Sequence, residues 1–74
     1  MIVLKQMPKK IRELKAMLLK AGCTSEPGKG SHTKWKHPAI ERKIVLSGKD
    51  GSDARRYQEK EVMQLLEDIK NAQL

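Results

Sequence analysis

The chain has no Phe, and its 74 residues include a single Trp, a single Tyr and a single Cys. With so little aromatic bulk, the core must come from Leu, Ile, Val, Met and Ala at periodic positions. A chain of this length buries only about 60% of the surface that its unfolded form exposes. A deep, enclosed substrate cavity is therefore not expected, and any chemistry belongs on an exposed surface. Cys23 has no partner in the chain, which excludes an intramolecular disulfide. A small fold that manages without one suits a reducing compartment, read here as the cytoplasm. Long apolar runs are missing too. Met1-Ile2-Val3-Leu4 is shorter than the apolar region of a signal peptide, and charged residues interrupt every later run before it could span a bilayer. No targeting segment is visible. Met7 stands directly before Pro8, so residues 1–6 read as an extension or an alternative start.

Acidic residues are in the minority, with 9 Asp and Glu against 16 Lys and Arg for a formal net charge of +7. The excess is uneven. Residues 1–57 carry fourteen basic and five acidic groups, a balance of +9, whereas residues 58–74 carry two basic and four acidic, a balance of −2. A basic surface attracts phosphate backbones by releasing their condensed counterions. Nucleic acid is thus the default partner. No basic amphipathic stretch is longer than the first helix, which argues against a membrane surface. An acidic protein partner is compatible with the same charge.

After Pro8, the residues Ile11, Leu14, Leu18 and Ala21 follow helical spacing until Gly22 offers a C-cap, which predicts a helix over residues 9–21. Lys9, Arg12, Lys15 and Lys20 form its solvated face. Cys23–Glu26 reads as a short strand, Pro27-Gly28-Lys29-Gly30 as a turn, and Ser31–His37 as a second strand ended by Pro38. Ile40–Ser47 is the third strand, with Ile44, Val45 and Leu46 as its apolar centre. Gly48–Arg56 is a polar loop. From about Gln58, the spacing of Val62, Leu65, Leu66 and Ile69 marks a second amphipathic helix. The expected fold is α+β in the order α-β-β-β-α, a three-stranded antiparallel sheet with two helices on one face. No internal repeat or linker divides residues 1–74, so one domain is expected.

Strand alternation places His32, Lys34 and Lys36 on one face of the second strand, and Trp35 and His37 on the other. Trp35 should mark the face packed on the helices, leaving His32 among lysines in solvent. Imidazole is the side chain whose unperturbed titration lies near neutrality, so His32 can serve as acid or base toward a ribose hydroxyl or a leaving oxygen. His37 lies five positions on, on the opposite face and roughly 17 Å away in a regular strand, too far to share one phosphate unless a bulge intervenes. Cys23, His32 and His37 are not spaced like converging zinc ligands, so no structural metal or other cofactor is expected. Pro27-Gly28-Lys29-Gly30-Ser31 reads as a turn and also as a candidate phosphate cradle, through exposed backbone N–H groups and Lys29. The Gly48–Asp53 stretch matches neither a Walker loop nor an EF-hand.

Gly30-Ser31-His32, followed by Lys34, Trp35, His37 and Pro38, resembles the HicA (YcfA-like) family of toxin mRNA interferases. The leading helix ending in Ala21-Gly22, the stretch Leu46-Ser47-Gly48-Lys49-Asp50-Gly51 and the closing helix extend the similarity to nearly the whole chain. The closing segment departs from the commonest family pattern in a longer acidic helix from Tyr57 onward. The resemblance implies a double-stranded-RNA-binding-like fold, endoribonuclease activity on mRNA without a metal, a catalytic role for His32, and inhibition by a HicB-type antitoxin. Beside that catalyst, Lys29, Gly30, Ser31, Lys34 and Lys36 are the candidate RNA contacts. A non-catalytic module for double-stranded RNA would carry the same basic sheet. Replacement of His32 separates the two readings. Because the charge excess is concentrated in residues 1–57, RNA affinity should fall steeply with added salt. Titration of a short RNA at two salt concentrations checks this, and an unchanged affinity would remove the electrostatic argument.

Overall fold

The computed structural model describes residues 8–73, so the reading of residues 1–6 as an extension lies outside the described residues. The elements are α1 (Ile11–Lys20), β1 (Thr24–Pro27), β2 (Thr33–His37), β3 (Ile40–Leu46) and α2 (Arg56–Ala72). The strands pair antiparallel in the order β1-β2-β3. This is the expected helix, three-strand, helix order. Some boundaries differ: β1 starts at Thr24 rather than Cys23, β2 at Thr33 rather than Ser31, and α2 at Arg56 rather than near Gln58.

Helix α1 forms because Ile11, Leu14 and Leu18 fall on one face, where all three are buried, with Met17 and Ala21 packed beside them. The Glu13 carboxylate accepts the Lys10 N–H at 3.1 Å, placing a negative charge at the positive end of the helix dipole. At the other end, Gly22 adopts φ +96, its N–H donates to Leu19 O and the Cys23 N–H donates to Leu18 O. These bonds form a Schellman cap that satisfies carbonyls the helix would otherwise leave open. Cys23 is spent on this cap, which is why β1 begins one residue late. Burial pushes the Cys23 thiol above its ordinary titration range.

In α2, Gln58, Val62, Leu65 and Ile69 are buried at helical spacing. The start at Arg56 is explained by Gln58, whose side-chain oxygen accepts the Arg55 N–H at 2.8 Å, as in one half of a capping box. The sheet supplies Trp35, Ile44 and Leu46 to the same core as both helices. The Trp35 indole N–H, buried with the ring, donates to Thr33 Oγ1 at 2.9 Å. Lys34, Lys36 and Val45 point to the opposite, uncovered face. Val45 thus departs from the expected apolar centre of β3: alternation buries Ile44 and Leu46 and turns the residue between them into solvent.

Between Trp35 and His37 the β2–β3 register shifts, so that Trp35 pairs with Ile44 but His37 pairs with Ile40. This bulge follows a tight turn at Pro38-Ala39, where His37 Nδ1 accepts the Ala39 N–H at 3.0 Å. His37 is buried on the helix side, as its parity with Trp35 requires. A Cβ added at Gly22 would lie 3.3 Å from His37 Nε2. Gly22→Ala would combine a positive φ with that contact, and should cost about 1–3 kcal/mol. Urea denaturation measures it, and a variant as stable as the parent would show that neither constraint matters.

Candidate nucleic-acid interface

The β1–β2 hairpin closes through two backbone bonds: the Gly28 N–H donates to His32 O at 2.8 Å, and the His32 N–H donates to Lys29 O at 3.0 Å. Gly30 sits in the turn between them with φ +59, a conformation that favours glycine. Gly28 has a separate reason to lack a side chain, since a Cβ there would meet His32 O at 3.2 Å and His32 Cβ at 3.3 Å. Ser31 Oγ accepts the Gly48 N–H at 3.1 Å, tying the hairpin tip to the loop after β3. His32 therefore hangs from a turn held on two sides. It precedes β2 instead of lying inside it, although its bonded partner Gly28 continues the β1–β2 register.

His32 is exposed, and with Gly28, Lys29, Lys34 and Val45 it lines an open cavity of about 430 Å³. Of the candidate residues read from sequence, the fold brings Lys29, His32 and Lys34 together here. Gly30 and Ser31 shape the turn without lining the cavity. Lys36 shares the face but its ammonium lies 3.3 Å from Glu26 Oε1. Glu26 stands opposite Lys34 in the register, yet its carboxylate contacts Lys36. Among the described residues, neither Lys29 nor Lys34 pairs with a carboxylate. The cavity is therefore lined by positive charge and one apolar side chain beside an imidazole.

Gly28, read from sequence as part of a candidate phosphate cradle, lines the cavity, whereas Val45 was missed as a site residue: it lies in an apolar run whose parity, once Ile44 and Leu46 are placed in the core, turns it outward. The remaining chemistry-bearing groups lie elsewhere. Cys23 and His37 are buried, while His32 is exposed at the hairpin end. A thiol with its titration pushed up by burial is a poor nucleophile, because the thiolate is the reactive form. A larger depression of about 620 Å³ lies along α2, lined by Arg56, Glu59, Lys60, Met63, Gln64 and Glu67. Its cations and carboxylates offset each other, and it contains no imidazole or thiol. Of these two, the smaller cavity is the one with an imidazole in its lining.

The Ser31–Gly48 bond should be detectable apart from any activity. Ser31→Ala leaves the Gly48 N–H without its partner, and should cost about 0.5–1.5 kcal/mol. It should also speed amide exchange at Gly48. Unaltered exchange there would mean that the hydroxyl does not hold the loop.

A family model described as the HicA toxin of bacterial toxin-antitoxin matches residues 11–74. No curated protein and no solved structure gives a significant match. The matched span runs from the first residue of α1 through α2, and includes the hairpin that presents His32. The chain belongs to the HicA family of toxins from bacterial toxin-antitoxin systems.

Proposed function

We propose that this toxin is a metal-independent endoribonuclease that cleaves mRNA, with His32 as its general acid and base. The observation that carries the reading is the cavity at the hairpin end. There the His32 imidazole stands beside Lys29 and Lys34, on a sheet face that neither helix covers. In the proposed reaction, His32 takes the proton of a ribose 2′-hydroxyl while the 2′ oxygen attacks the adjacent phosphorus. The bond from phosphorus to the 5′ oxygen breaks, and that oxygen leaves as a hydroxyl by taking the proton that His32 accepted, which returns the imidazole to its starting form. The other fragment retains a 2′,3′-cyclic phosphate. The ammonium groups of Lys29 and Lys34 offset charge building on the non-bridging oxygens, the kind of electrostatic stabilisation that favours a transition state over bound substrate.

Lys36, whose exposed ion pair with Glu26 is weak enough for a phosphate to displace, and the turn backbone at Gly30 extend the contact along the RNA. Ser31 contributes by holding that turn. The antitoxin of this system is proposed to be of HicB type and to cover the same face, because complementary potentials steer association and an inhibitor must exclude the substrate. A substrate of mRNA places the activity in the cytoplasm. None of the helices among the described residues is long and apolar enough to cross a membrane.

His32→Ala is the direct test. Cleavage should fall by about 10²–10⁴, the usual contribution of a positioned acid or base. Stability should change by no more than about 0.5 kcal/mol, since the side chain is exposed. RNA and antitoxin should still bind through the remaining lysines. The parent should leave 2′,3′-cyclic phosphate ends and be indifferent to chelator. His32→Ala protein that cleaves at the parental rate would sink the assignment. A parent that binds RNA and never cleaves it would favour the non-catalytic module.

A further inference from the structure

Val45 is 44% exposed, between Ile44 at 3% and Leu46 at 0%. It belongs to no part of the core. It pairs directly with Lys34 across the β2–β3 ladder, and both line the cavity with His32. Directly opposed residues on one face of an antiparallel pair have neighbouring side chains. The structure thus sets a half-exposed isopropyl group beside cations and an imidazole, outside the core.

We propose that this cavity is a subsite for one unstacked nucleotide, with Val45 as the apolar contact of its base and a specificity-determining residue. The identity of the ligand rests on the ribonuclease reading above. Charge points to RNA as the occupant: Lys29 and Lys34 line the cavity, and Glu26, opposite Lys34 in the register, has its carboxylate held by Lys36. A base has an apolar face that gains by leaving water, as Val45 does, and the two can be buried together while the lysines take the adjoining phosphates. Geometry points to an unpaired strand. In a duplex the base faces are stacked on their neighbours and the edges are paired, so recognition is confined to backbone and groove shape. Only an unstacked nucleotide can lay a base face against the side chain of Val45.

Binding of a short single-stranded RNA, followed by fluorescence anisotropy, tests this in full-length protein carrying His32→Ala so that the RNA stays intact. Val45→Thr keeps the shape and the β-branching but replaces a methyl group by a hydroxyl. It should weaken binding about tenfold, whereas Val45→Ile should hold affinity within about twofold. The salt dependence should not change, because no charge has been altered. Should Val45→Thr fail to fold by circular dichroism, Val45→Ala removes the same contact. The same RNA annealed to its complement should bind with an affinity that none of these variants changes. Equal affinity of the parent, Val45→Thr and Val45→Ala for the single strand would overturn the proposal, as would an equal loss for single strand and duplex. Failure of the ribonuclease reading shows separately, as an absence of turnover by the protein with His32 intact. In that case, an affinity loss in Val45→Thr would still support the subsite.

Discussion

The loop from Ser47 to Ala54 supplies the polar partners that the rest of the fold cannot provide for itself. A helix leaves its first N–H groups without intrahelical acceptors, and a small protein must satisfy them nearby. Here the Ile11 N–H donates to Ser52 O and the Arg12 N–H to Asp50 O, so the loop caps α1 from a distance in sequence. The Ala54 N–H returns to Lys9 O, and Gln58 at the start of α2 donates to Ser47 O at 2.9 Å. The Gly48 N–H reaches the hairpin through Ser31. Ion pairs of Lys10 with Asp53 and Lys15 with Asp50 lie over the same contact, although exposed pairs of this kind contribute little by themselves. Both helices and the hairpin that carries His32 thus meet at one polar segment.

That arrangement accounts for the division of labour between the two faces of the sheet. The helices bury Trp35, Ile44 and Leu46 against their own apolar faces. Among the described residues, the other face has no layer to cover it and is left to Lys34, Lys36, Val45 and the hairpin tip. A chain this small could not enclose a site without giving up core. An open face of cations around an imidazole can take a long polyanion, since backbone contacts spread along the strand. Positioning of His32 then depends on the turn geometry: Gly28 packed against it, Gly30 at positive φ and Ser31 tied to Gly48.

The two histidines show how little residue type says about role. His37 is buried, uses Nδ1 to accept a backbone N–H and packs near Gly22 at the end of α1. His32 is five positions away, exposed, with its backbone closing a hairpin and its side chain lining the cavity. The difference follows from parity and from the turn. A strand residue that shares the side of Trp35 must face the core, and one that shares the side of Lys34 must face water.

Much of this was legible without coordinates, because element order, helix faces and sheet parity are set by the periodicity of apolar residues along the chain. Ile11, Leu14 and Leu18, then Val62, Leu65 and Ile69, mark their helices by spacing alone, and Trp35 orients the sheet. The charge excess and the setting of His32 among lysines were local as well. Capping of α1 by the carbonyls of Asp50 and Ser52, the Ser31 bond to Gly48, the diversion of Lys36 to Glu26 and the exposure of Val45 in the cavity were not. Each joins residues from different elements, and no local spacing encodes which loop carbonyl will lie within reach of a helix end. The apolar pattern along the chain marks the faces to be buried and the side chains able to do chemistry. Which of those residues meet is settled when the core packs, because hydrogen bonds and ion pairs depend on a few ångströms of approach.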